Sequence, residues 1–389
     1  MRFHDEVTRF YRRWHALERA LGPKGGLVLD FDFAPGSGPV EPFPDRAAAL
    51  RAVTALREAL PSGLRDPELV DAKLEGAETY LRALMGERLP FDEHLWRTMR
   101  LRPERRAGAL AALREELVEA FGERGIRFDT RGRHAFALRF GSVGGSEVGP
   151  ELRRHAARYV ERARAFVGDL PDPEYRVEVV TEDAYWSNWI DGCHAAGVRL
   201  RINTHGRIEY NRHSAEALAA HEIGGHALQV AALLREARDG RLDPCLLNLS
   251  VHSCEAFHME GLAQVALLVL SGADERDPDL VLLERYRDYV SGLLNEAQLD
   301  VEEGAPLDQA VSAVVRACPL LRRSSVRSNL RDRRRDPLYR SYIHVYPPSK
   351  ALFLRALELP EPARRAFFRE AWTGLRMPEV LAARVRAAA

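Results

Sequence analysis

The segment His221-Glu222-Ile223-Gly224-Gly225-His226 constrains this chain more than any other. It sits inside a run with helical periodicity over about 214–236, where Ser214 suits the N-cap and Glu216 the first turn. Its two histidines are five residues apart. At about 100° per residue an ideal helix would aim them about 140° apart, against about 40° for a four-residue spacing. Either the two side chains serve no common site, or the helix deforms. A single π-turn makes residues i and i+5 neighbours. The glycine pair fits the second case, because each glycine in a helix interior costs about 1 kcal/mol relative to alanine. That cost makes sense where the backbone must widen or where something packs closely against it. The spacing therefore predicts a bulge near Gly224-Gly225 if His221 and His226 face one ligand.

The residue types suggest which ligand. Zinc prefers neutral imidazole nitrogens and carboxylate oxygens in tetrahedral array, and a histidine followed by glutamate and a second histidine on one helix is the familiar hydrolytic arrangement, with the glutamate as general base. A third protein ligand must come from elsewhere. Glu260, in Met259-Glu260-Gly261-Leu262-Ala263-Gln264, heads an apolar helical run that could pack beside the first helix. His221, His226 and Glu260 would leave one position for water. Glu255 is the rival carboxylate, and His252 and His258 are weaker rivals. The bland alternative is a polar helix face with ordinary, hydrogen-bonded histidines.

Around this segment the pattern is mainly α with a small β-sheet (α+β). Val7, Phe10, Tyr11, Trp14, Leu17 and Leu21 recur at helical spacing over 5–21. Further helices are expected at about 46–60, 66–85, 103–121, 151–167, 252–271, 280–298 and 307–317, another opens at Pro347-Pro348, and the C-terminus reads as helical. Strands are expected at Leu27–Phe33, Tyr175–Thr181 and Val198–Asn203; in the last, apolar and polar residues alternate. The stretch Gly141–Pro150 carries four glycines and reads as a linker, dividing a helical N-terminal lobe (1–140) from a catalytic domain (141–389).

Composition narrows the function classes. Lysine plus arginine equals aspartate plus glutamate, 57 each, so no net charge draws the chain to nucleic acid or anionic lipid. No apolar run approaches a membrane span. The opening residues are charged where an export signal needs an apolar core. The four cysteines form no CxxC pair, and a chain this long does not need disulfides, so a reducing, cytoplasmic setting is expected. Nothing here fixes an oligomeric state.

The combination HEIGGH plus EGLA resembles the microtubule tyrosine carboxypeptidases and their bacterial relatives, zinc enzymes with an H-E-x-x-x-H helix and a later EGLA glutamate. It is also similar to a bacterial helical metallopeptidase-like family with H-E-x-x-P-G-H and E-G-W-A motifs. The chain departs from both, with Gly-Gly where the first often has Gly-Thr, and without the extra residue and proline of the second. The likeness spans about residues 198–350. It implies a zincin-like (gluzincin) core, Zn2+ on His221, His226 and Glu260, catalytic Glu222, and a peptide or protein C-terminal substrate.

Peptide hydrolysis needs more than a metal. Oxyanion donors are expected from Ser341–Tyr346: if that stretch is extended, Tyr342, His344 and Tyr346 share a face. A carboxypeptidase also needs a cation for the terminal carboxylate, and Arg201, Arg340 and Lys350 are candidates by their nearness to the motifs. Tyr185, Trp186 and Trp189 could line a substrate pocket or pack in the core. Hydrolysis of a non-peptide amide, or a non-catalytic binding protein on the same scaffold, are the alternative readings.

Overall fold

The computed structural model describes residues 3–388 except 37, 39, 142, 183–186, 206–209 and 212. Tyr185 and Trp186 lie outside the described residues. The fold is mainly helical around a five-stranded mixed sheet, the α+β class that the periodicities predict.

The strands are β1 (Phe31–Asp32), β2 (Tyr175–Val180), β3 (Asn188–Cys193), β4 (Gly197–Asn203) and β5 (Asn248–Leu249), in the order β2-β4-β3-β1-β5. β2 runs parallel to β4 and β1 parallel to β3, while β3–β4 and β1–β5 are antiparallel. The alternation in β4 works as expected. Val198, Leu200 and Ile202 are buried, while Arg199 sits opposite Asp191 of β3 and bonds it at 2.5 Å. The Leu27–Phe33 expectation shrinks to two strand residues, Phe31 and Asp32, which pair in register with both β3 and β5. β3 was not foreseen: its residues are all half-buried, so no period of two shows.

The first helix, Phe3–Ala20, buries Val7, Phe10, Tyr11, Trp14 and Leu17. These join one continuous core with Leu69, Tyr80, Leu152, Tyr159, Leu200, Leu228, Leu262, Phe353 and Trp372. Residues from before and after 141 thus share a single apolar cluster. The glycine-rich stretch expected as a linker is split. Gly141, with φ of 68°, ends the helix Gly132–Phe140, and Gly145 already begins the long helix Gly145–Val167 with Pro150 inside it. Among the described residues no helix is long and apolar enough to cross a membrane.

Three helices frame the site. The motif helix runs from Ser214 to Arg238, the EGLA helix from Glu255 to Leu270, and a third helix, Tyr346–Leu357, packs on the EGLA helix.

Candidate metal centre

The motif helix is bulged where the spacing predicts. Ala219–Ala227 has π-helical hydrogen bonding between α-helical ends. The His221 and His226 rings consequently come together, with centroids 4.9 Å apart and planes at 81°. Widening a helix deprives carbonyls of their usual partners. The Trp372 indole donates to the Gly224 carbonyl at 2.9 Å, supplying one such partner from the C-terminal part of the chain.

The two glycines act through close approach. A Cβ on Gly225 would lie 2.7 Å from Cα of Ala263, so the EGLA helix presses directly on the bulge. On its other side Gly261 admits Phe353, whose ring would lie 2.5 Å from a Cβ there. This contact brings Glu260 to the histidines. Its Oε2 lies 3.5 Å from His221 Nε2 and its Oε1 3.6 Å from His226 Nε2. The two separations run to different oxygens of Glu260. Donor atoms about 3.3–3.4 Å apart are what tetrahedral ligation at about 2.0–2.1 Å needs, so a cation on both histidines would face both Glu260 oxygens. Glu222 also reaches inward: His221, Glu222 and His226 form the trio whose single donor atoms all lie within 4.8 Å of one another.

The two carboxylates are held differently. Asn188 of β3 donates to Glu222 Oε1 at 2.6 Å. Tyr342 donates to Glu260 Oε1 at 2.5 Å, and its oxygen lies 2.7 Å from that of Tyr346. Glu222 Oε2 and Glu260 Oε2 are buried without a hydrogen-bond partner, a state that is costly unless something else sits beside them. His226 Nδ1, the ring nitrogen that does not face Glu260, is likewise unpartnered.

The charges tell the same story. Burial disfavours the His221 imidazolium, but Glu222 and Glu260 outweigh it and hold its pKa at about 9. Burial raises Glu222 to about 7, the His221 charge opposing and Glu260 reinforcing it. Burial lowers His226 to about 4 despite the pull of Glu260, and the His221 charge adds to the fall. Glu260 drops to about 2 because both imidazoles and the Tyr342 hydroxyl overcome its burial. The site therefore calls for positive charge between its carboxylates, which a divalent cation on these donors would supply.

A cavity of about 320 Å³ opens over the cluster, lined by Asp30, Asn188, Trp189, Tyr339, Tyr342 and Tyr346 among others. A second, of about 420 Å³, shares His221, Glu222, Asn188 and Tyr346 with the first and extends past Leu113, Leu218 and Leu354. The two spaces meet at the His221–Glu222 pair.

The structure sorts the remaining candidates. Ser341–Tyr346 is not extended: the helix Pro337–Tyr342 ends there and the next begins at Tyr346. A four-residue helical offset brings Tyr342 and Tyr346 together. His344 instead points away, its ring 4.9 Å from Phe91. Arg201 pairs with Asp191 at 2.7 Å in the sheet, and buried Arg340 pairs with Glu302 at 2.9 Å; neither lines the two cavities. Lys350 does line the second, 2.7 Å from Asp288. The rival ligands are otherwise engaged. Glu255 forms a buried ion pair with Lys73 and accepts from Ser253. His252 packs among Tyr11, Trp14 and Tyr80. Both His258 nitrogens are bonded, to the Ala371 carbonyl and the Arg376 N–H. Sequence reasoning missed Asn188, Asp30 and Tyr339. Only the position of Asn188 shortly before β4 could have pointed to it, through hairpin pairing.

No protein-family model matches this chain, and no curated protein does. Among solved structures, the chain is similar to the "putative lipoprotein from Colwellia psychrerythraea", at 14% identity with a TM-score of 0.60. The match covers 87% of this chain but 66% of that protein. At this identity the likeness is one of fold.

Proposed function

We propose that this protein is a zinc-dependent metallopeptidase with a gluzincin-like site, His221, His226 and Glu260 holding the metal and Glu222 serving as general base. The observation that carries the reading is the convergence of the two imidazoles and Glu260 at 3.5 and 3.6 Å, achieved only through a π-bulge. A deformation of that kind is what a five-residue histidine spacing requires of a metal site and what an ordinary polar helix face does not.

Bound zinc would supply Lewis-acid activation of water and of the scissile carbonyl. The chain's own groups then divide the work. Asn188 fixes Glu222 Oε1 and leaves Oε2 free toward the cavity, where it can take a proton from the attacking water and pass it to the leaving nitrogen. Tyr342 orients Glu260, and its hydrogen-bonded partner Tyr346 lines both cavities, placed to donate to a developing oxyanion. His344 has no role in this scheme. A carboxypeptidase action would draw on Lys350, released from Asp288, for the terminal carboxylate. Cytoplasmic residence belongs to the same proposal and is supported by four free thiols, three of them buried.

Metal analysis together with Glu222→Gln tests the core of this reading. Zinc at one equivalent is expected in both proteins, with peptide hydrolysis in the parent and a loss of 10²-fold or more, on the order of general-base removal, in the variant. A parent protein that takes up no zinc on reconstitution, or a variant of full activity, refutes it. Peptides with free and amidated C-termini decide between carboxypeptidase and endopeptidase action.

A further inference from the structure

The first cavity holds a carboxylate that the hydrolytic scheme does not use. Asp30 immediately precedes β1, and its backbone is fixed on both sides. Its N–H donates to the Leu249 carbonyl at 3.0 Å, and its carbonyl accepts from Gly192 N–H at 2.9 Å. The side chain is 7% exposed. Oδ2 accepts from Val251 N–H at 3.0 Å, whereas Oδ1 is buried with no hydrogen-bond partner. The Trp189 indole lies near the carboxyl without completing an ordinary hydrogen bond to Oδ1.

Four other buried or half-buried acids have an arginine or lysine of their own. Glu18 has Arg46, Glu255 has Lys73, Glu302 has Arg340, and Asp279 has Arg124 and Arg139. Asp30 has none of these, and among the described residues no arginine or lysine lines its cavity. Burial lifts its pKa to about 8, with the negative charges of Asp191 and Glu260 adding to the effect. Near neutral pH the empty cavity therefore holds mainly the protonated acid, and a cationic nitrogen arriving beside Oδ1 favours the carboxylate. A divalent cation in the neighbouring cluster would balance Glu222 and Glu260, leaving Asp30 as the uncompensated acid of the cavity wall. A carboxylate beside an indole is a favourable receptor for a cationic nitrogen, joining a charge-assisted hydrogen bond to a cation–π contact.

We infer that Asp30, with Trp189 beside it, receives a cationic nitrogen of the substrate: a lysine or arginine side chain, or a free amino terminus. The substrate's being a peptide rests on the peptidase reading; the recognition of a cation does not. The test is binding calorimetry on the full-length, zinc-loaded Glu222→Gln protein, which removes turnover. The probes are hexapeptides carrying lysine or norleucine at each position in turn, each with a free or an acetylated amino terminus. The expected result is that one cationic form binds at least about tenfold more tightly than its neutral counterpart. Dependence on lysine identifies a side-chain site, and dependence on the free amine identifies an amino-terminal site. Adding Asp30→Asn should erase the difference, while Asp30→Glu should keep part of it. Equal binding of charged and neutral peptides, or no peptide binding at all, overturns the inference with Asp30 in place and needs no variant to fold. A preference that survives Asp30→Asn also overturns it. Cleavage of the same peptides by the parent protein is scored separately. Preference without cleavage sinks the peptidase proposal alone, and cleavage without preference sinks the Asp30 inference alone.

Discussion

Replacing Gly225 by alanine should damage the proposed metal centre from outside it. The added methyl would lie 2.7 Å from Cα and 2.8 Å from Cβ of Ala263, about 1 Å inside ordinary contact distance. Ala263 is part of the EGLA helix and cannot rotate away, so the two helices must separate by about that amount. Overpacking of this kind costs about 1–3 kcal/mol, partly offset by about 1 kcal/mol of helix propensity gained. For a chain of 389 residues the resulting net loss of about 0–2 kcal/mol lowers Tm by no more than about 3 °C. Zinc affinity should respond more strongly. Glu260 rides on the helix that is pushed, and a shift of about 1 Å spoils donor separations of 3.5 and 3.6 Å. We expect zinc binding, measured by competition with a chelating dye, to weaken by about tenfold or more. Gly224→Ala is the control. Its methyl would meet Leu270 and Tyr159 at 3.2 and 3.3 Å, contacts that relax by a few tenths of an ångström, so its zinc affinity should stay within about threefold of the parent's. Equal zinc affinity in Gly225→Ala and the parent would refute the claim that helix contact positions Glu260.

Lys73→Met should cost about 3–5 kcal/mol in urea unfolding, because it strands the buried Glu255 carboxylate, and it should leave the zinc stoichiometry unchanged; the double variant with Glu255→Leu should recover much of that loss, and loss of zinc in either would return Glu255 to the ligand set. Burial and the Arg340 charge hold the His94 pKa at about 4, below the 6.5 of an exposed imidazole. The unfolded chain therefore binds this proton first as pH falls, so the stability His94 contributes is complete above pH 6.5 and drains away toward pH 4, at up to about 1.4 kcal/mol per pH unit. Chemical denaturation at pH 7.5 and 5 should show that slope in the parent and a shallower one in His94→Gln; identical slopes would exclude His94 as its source.

The centre of this fold is far more legible in the sequence than its surroundings. His221, His226 and their glycines announce a bulge because geometry leaves a helix no other way to join them. Glu260 follows because a ligand set needs a third member and its helix is apolar enough to pack alongside. Asn188 and Asp30 carry no such mark. Asp30 reaches the cavity through pairing between segments distant in the chain, and β1 and β5, of two residues each, are too short to write a period. Asn188 opens a hairpin strand whose residues are all half-buried, so it shows no period of two. The Tyr342–Tyr346 pair is legible through either conformation: an extended strand and a helical turn both put the two tyrosines on one face, but only the helical turn brings them into contact and only the strand would keep His344 with them. The cations Arg201 and Arg340 stand close to motifs in sequence, which says nothing of the acids, Asp191 and Glu302, that claim them.

The indole that caps the Gly224 carbonyl belongs to Trp372, 148 residues further along the chain. During synthesis the histidine pair and Glu260 are therefore made long before the group that closes their bulge. Until Trp372 arrives, the Gly224 carbonyl lacks the indole donor that holds it in the folded protein. A nascent chain thus carries His221, His226 and Glu260 before the helix that supplies this contact can dock.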